Sequence, residues 1–98
     1  MLVIDVSNVL GSRPDGWWRD RAAATEALVA RIRAQHPGAV CVLDPGADDE
    51  VVRVVAAAGG ACTVVTSDRE LAARVRALGA QVRGAGAFRR ELDDRAES

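Results

Sequence analysis

Ninety-eight residues, 49% of them hydrophobic, suffice for one small globular domain and leave no room for a second. No apolar run approaches the roughly 18 residues that a membrane span needs. Thirteen basic residues, all arginine, stand against fourteen acids for a net charge of −1. Strong non-specific nucleic-acid binders carry a clear positive excess, so any RNA contact here must be local. A chain this short buries only about 60 to 70% of its unfolded surface, which makes self-association into a homo-oligomer plausible. The opening MLVIDV passes straight into a strand-like pattern without the basic and small-residue flanks of a secretory signal, so a cytoplasmic protein is expected.

In chain order, residues 2–6 (LVIDV) form the first β-prone run. A helix is expected from about Asp15–Trp18 to Gln35, with Leu28 and Ile32 on one face and Pro37-Gly38 as its stop. Residues 40–43 (VCVL) are the second strand, and 48–57 a helix turning Val51 and Val55 inward before Gly59-Gly60. Residues 62–66 (CTVVT) are the third strand. Ser67-Asp68-Arg69-Glu70 then reads as a capping box, with Ser67 as N-cap and Leu71, Val75 and Leu78 at core spacing up to Gly79. Residues 80–83 (AQVR) are the fourth strand, and a final helix over 88–95, anchored by Phe88 and Leu92, is expected to fray at its end.

Strands that alternate with helical crossovers of ten or more residues pair in parallel through right-handed βαβ units. The fold class is α/β: a small three-layer domain with a parallel sheet of about four strands flanked by helices. Cys41 and Cys62 sit inside apolar runs rather than at CxxC spacing. With the first strand between the second and third, they are roughly 9 to 10 Å apart, too far to be bridged.

Ligands of such sheets gather beyond the carboxyl ends of the strands. There the chain concentrates acids: Asp5 ends the first strand, Asp44 the second, Asp48 and Asp49 open the next helix, and Asp68 follows the third. Crowded carboxylates repel one another, and a hard divalent ion such as Mg²⁺ or Mn²⁺ relieves that repulsion while leaving open positions for phosphate chemistry. Acids in a first helical turn also answer to the helix dipole alone, and Asp44 before Pro45-Gly46 also suits a turn. Asp5 is different, because an acid at the buried end of a central strand needs a partner.

VIDVSNVLGSRPDGWWRDR, ADDEVV and TVVTSDRELAARVRALGAQV, about two thirds of the chain, resemble NYN-domain proteins of the PIN-like nuclease superfamily, especially the YacP-like group. The resemblance implies a PIN-like sheet and metal-dependent endonucleolytic cleavage of RNA by an activated water, leaving a 5′-phosphate. Asp5, Asp48 and Asp68 would be the metal acids, with Asp49 assisting, and Asn8 a site-orienting amide. Thr66 and Ser67 would shape the turn around Asp68. The sequence departs from the family between VCVL and ADDE, where a further loop and strand are replaced by a direct connection.

Arg13, Trp17, Trp18, Arg19 and Arg21 cluster after the first strand. An exposed indole flanked by arginines would stack a base, whereas a tryptophan staple would cover a small core. Arg69, Arg74, Arg76, Arg89 and Arg90 read as solvated helix faces, while Ser67 and Arg69, flanking Asp68, are also candidate RNA contacts. His36, at a helix end where a cation suits the dipole, is far in the chain from any strand-end serine, so no Ser/His/Asp arrangement is expected. Beside the ribonuclease reading stands a non-catalytic RNA-binding or assembly module that keeps the fold. A phosphoacceptor domain is disfavoured, because it wants an acid pair after the first strand and a lysine, and the chain has no lysine.

Overall fold

A computed structural model describes residues 1–96, and the side chains of residues 1–95. The frayed end expected after the last helix falls on residues 97–98, outside the described residues. The elements run β1 (Leu2–Asp5), α1 (Val6–Leu10), α2 (Arg21–Gln35), β2 (Val40–Val42), α3 (Ala47–Ala57), β3 (Thr63–Val65), α4 (Arg69–Ala77), β4 (Gln81–Arg83) and α5 (Ala85–Ala96). A single 3₁₀ turn at Trp17–Arg19 precedes α2.

All four strands are parallel, in the order β2-β1-β3-β4. Val3 pairs with Val40 and Val64, and Ile4 with Cys41 and Val65. The period-two alternation of a strand divides these side chains between two cores. Val3 and Val64 pack with Val51, Val55, Leu71 and Val75 from α3 and α4. Ile4 and Val65 pack with Val9, Leu28, Ile32, Phe88 and Leu92 from α1, α2 and α5. Both faces of the sheet are thus covered, and the near-continuous apolar strands are what a parallel sheet requires. Among the described residues no helix is long and apolar enough to cross a membrane. Cys41 and Cys62 are free thiols, on strands separated by β1 or at their edges.

Three expectations are corrected. The helix expected from Asp15–Trp18 begins only at Arg21, because the Asp20 carboxylate accepts the Ala23 N–H at 3.1 Å and caps α2 there. Before it, Val6–Leu10 forms a short helix that the apolar run LVIDV masked; its signal is the i, i+3, i+4 burial of Val6, Val9 and Leu10. The N-cap of α4 is Asp68 rather than Ser67: Asp68 Oδ1 accepts the Leu71 N–H at 3.0 Å. Ser67 lies one residue outside the helix and is used elsewhere.

Candidate functional site

The carboxyl ends of β1 and β3 and the start of α3 build one acidic edge. Asp5 terminates the central strand and is 4% exposed. Its Oδ2 accepts the Thr66 hydroxyl at 3.1 Å, and Oδ1 lies 3.4 Å from the Ser7 hydroxyl. Burial pushes the Asp5 carboxyl above its ordinary value. The Thr66 hydrogen bond draws it partly back, and the charge of Asp48 raises it again, with a smaller push from Asp44.

Thr66, itself 1% exposed, also accepts the Asp68 N–H at 3.1 Å, so one hydroxyl joins the first acid to the turn that carries the third. Asn8 does the same from α1: its Oδ1 accepts the Ser67 N–H at 2.7 Å. Ser67 Oγ in turn accepts the Ala85 N–H at 2.8 Å, which ties this turn to the start of α5. Asp68, as N-cap, has Oδ1 committed to the Leu71 N–H.

Asp48 stands exposed in the first turn of α3. Loss of hydration against its neighbours raises its carboxyl, and the charge of Asp68 adds to the rise. Arg74 opposes this, while Asp44 and Asp49 reinforce it. Asp48 therefore senses Asp68, and Asp5 senses Asp48: the three acids share one electrostatic neighbourhood despite the direct connection between β2 and α3. Asp49 turns to α4, where its Oδ1 meets Arg74 at 3.2 Å with the side chain 80% exposed. Asp44 is paired with Arg21 at 3.4 Å.

The donors on this edge are carboxylate and hydroxyl oxygens, the set that suits a hard divalent cation, and the mutual repulsion of Asp48 with Asp68 is what such a cation relieves. Among the described residues, however, no three His, Cys, Asp or Glu side chains stand close enough together to form a ready metal shell. Beside the edge, Thr66, Ser67, Asp68, Arg69, Arg76 and Gly84 line an open cleft of about 570 Å³.

The arginine–tryptophan cluster divides. Trp18 is 55% exposed, whereas Trp17 packs against the α1/α2/α5 core with its ring edge-on to Trp18 at 5.8 Å. Arg13 is drawn to Asp93 on α5 at 2.7 Å. Arg21, 5.9 Å over the Trp17 ring, reaches the acidic edge through Asp44. Among the described residues, Arg13, Trp17, Trp18 and Arg19 have no hydrogen bond or ion pair to Asp5, Asp48 or Asp68.

Arg89 corrects the reading of the arginines. Read as part of a solvated face, it is 8% exposed and bound to Asp15 at 3.0 Å, with Asp93 at 3.6 Å. The i, i+4 spacing of Arg89 and Asp93 was visible in the sequence; the approach of Asp15 from 74 positions away was not. Thr66 was read only as a turn residue, and its link to Asp5, 61 positions apart, likewise required the fold.

Compared with known proteins, the chain matches no family model, no curated protein and no solved structure.

Proposed function

We propose that this chain is a cytoplasmic, metal-dependent endoribonuclease of the PIN-like, NYN-domain kind. The observation that carries this reading is geometric: buried Asp5 ends the central strand of a parallel sheet and is joined through the Thr66 hydroxyl to the turn that carries Asp68, at the edge where Asp48 opens α3. Carboxylates whose ionisation is disfavoured by burial and like charge mark sites built to receive a counter-charge.

In this proposal Asp5, Asp48 and Asp68 hold Mg²⁺ or Mn²⁺, which when bound supplies charge neutralisation at the scissile phosphate and a more acidic water. Thr66 keeps the Asp5 carboxylate oriented, and Asn8 and Ser67 hold the Asp68 turn against α1 and α5. Arg69, and Arg76 across the same cleft, would take RNA phosphates. Trp18 is the exposed aromatic surface available for base stacking.

A second reading, a non-catalytic RNA-binding or assembly module, is favoured by one observation: the acids do not form a closed shell of three among the described residues. Incubation of labelled RNA with the protein and Mn²⁺ or Mg²⁺, beside Asp5→Asn and Asp68→Asn, separates the two. Asparagine caps a helix about as well as aspartate, so Asp68→Asn removes the charge while keeping α4. Metal-dependent cleavage lost in both variants supports the nuclease. RNA binding without cleavage in the unmodified protein supports the module, and equal cleavage by all three proteins sinks the proposed site.

A further inference from the structure

The sheet ends on β2 at one side and on β4 at the other, and the two edges are finished differently. β4 carries the exposed Gln81 and also Arg83, whose guanidinium is held by Glu91 of α5 at 3.1 Å. Charged side chains on an edge strand discourage a further strand from pairing there. β2 has no such guard: Val40, Cys41, Val42 and Leu43 run without a charge, and Leu43 is 50% exposed.

Beside β2 an open groove of about 760 Å³ runs along α2, lined by Ala22, Thr25, Val29, Ala30 and Leu43. The α2 positions recur at helical spacing, so they form one stripe next to the buried Leu28 and Ile32. Glu26 and Arg33 line the same groove and project from the same side of the helix, two turns and about 10.5 Å apart. They are too distant to meet each other, and neither takes part in a salt bridge among the described residues.

We propose that this face binds a second copy of the chain, β2 pairing antiparallel with its counterpart and α2 lying along the partner's α2. A closed two-fold contact needs a patch that complements itself, so that one residue meets a second on the partner and the second meets the first. Glu26 and Arg33 satisfy this. They stand symmetrically about Val29 and Ala30, so a two-fold axis through that midpoint sets Glu26 of each copy against Arg33 of the other. The small Ala22 and Ala30 let the helices approach, while the half-buried Val29 and the exposed Leu43 lose their remaining contact with water. A peptide strand of another protein would occupy the edge equally well, but only a second copy uses opposite charges placed evenly about one point. Nothing in this contact depends on the acidic edge, whose two copies face opposite ways in an antiparallel dimer.

Sedimentation equilibrium and native mass spectrometry at low ionic strength, where exposed charge pairs are least screened, test the contact. The unmodified protein should form a dimer. Glu26→Arg alone and Arg33→Glu alone each set two like-charge pairs across the axis, and each should weaken dimerisation about tenfold or more. Mixed in equal amounts, the two variants should recover as a heterodimer, because each then offers the charge that the other lacks; chains that had merely misfolded would not recover. Leu43→Lys, at an exposed position, should also weaken the dimer by supplying the edge charge that β2 lacks. A monomer at every concentration, a dimer indifferent to the charge variants or to Leu43→Lys, or charge variants that stay apart on mixing overturns the proposal.

Discussion

The Thr66 hydroxyl, 61 positions along the chain, donates to Asp5 Oδ2 at 3.1 Å, and both residues are buried. Strand β3 lies directly beside β1, so Asp5 at the end of β1 and Thr66 just after β3 reach the same edge, and the hydroxyl stabilises a carboxylate that burial opposes. Because the same oxygen takes the Asp68 N–H, the position of one acid is transmitted to the turn bearing another.

Thr66→Val retains the shape and removes the hydroxyl. Stability should fall by about 1 to 3 kcal/mol, the range for stranding a buried polar group. The Asp5 carboxyl, freed of the bond that lowers it, should rise further, moving the acid limb of metal-dependent RNA cleavage to higher pH. A carboxyl raised in the folded state opposes folding at neutral pH, a penalty that vanishes as pH falls below the ordinary value of 3.8. The variant's deficit should therefore narrow in acid. Chemical denaturation across pH and a pH–rate profile, with Thr66→Ser restoring both, check this.

Asp93 behaves oppositely. Burial alone would raise its carboxyl, but the Arg31 hydrogen bond and the charges of Arg13 and Arg89 outweigh burial and hold it low. A carboxyl lowered by folding contributes stability above the ordinary value of 3.8 and loses it as pH falls through the lowered one. Asp93→Asn should cost about 3 kcal/mol at neutral pH by leaving Arg89 and Arg31 poorly compensated. Urea unfolding should find the gap between variant and parent closing only in strong acid; a gap independent of pH would contradict the ion-pair account.

Gly60 adopts φ +80°, and a Cβ there would lie 2.0 Å from the Leu78 carbonyl oxygen. Gly59, at φ +65°, has open space around the same position. Gly59→Ala should therefore cost about 1 kcal/mol, the left-handed penalty alone. Gly60→Ala should exceed it by about 2 kcal/mol or more, because backbone must move. Thermal melts of the two variants side by side test the contrast.

Trp18→Ala should leave the melting temperature almost unchanged, since the ring is 55% exposed, yet weaken single-stranded RNA binding by about 1 to 3 kcal/mol. Fluorescence anisotropy with a labelled oligonucleotide measures the second effect. Unchanged affinity would assign the base-stacking surface elsewhere.

The α/β class, the parallel pairing and the two-sided cover of the sheet were written in the sequence, because apolar strands without alternation leave a parallel sheet little choice and the helices carry their anchors at regular spacing. Phe88 and Leu92 were legible as anchors for this reason, whereas the choice between an exposed indole and a tryptophan staple stayed open until the fold divided it, Trp18 exposed and Trp17 packed on the core. Element boundaries were less so: Asp20 and Asp68 took the caps where Asp15 to Trp18 and Ser67 had equal local claims, since capping depends on which side chain the incoming turn aims at the free N–H groups. Which acids meet was a tertiary matter. Asp48 senses Asp68, while Asp49 beside it is turned to Arg74, and their shared chemistry in the sequence could not distinguish them. Nor could composition reveal that Arg89 is buried, because the loop bearing Asp15 and the helix bearing Arg89 meet only when α1, α2 and α5 close on the same face of the sheet.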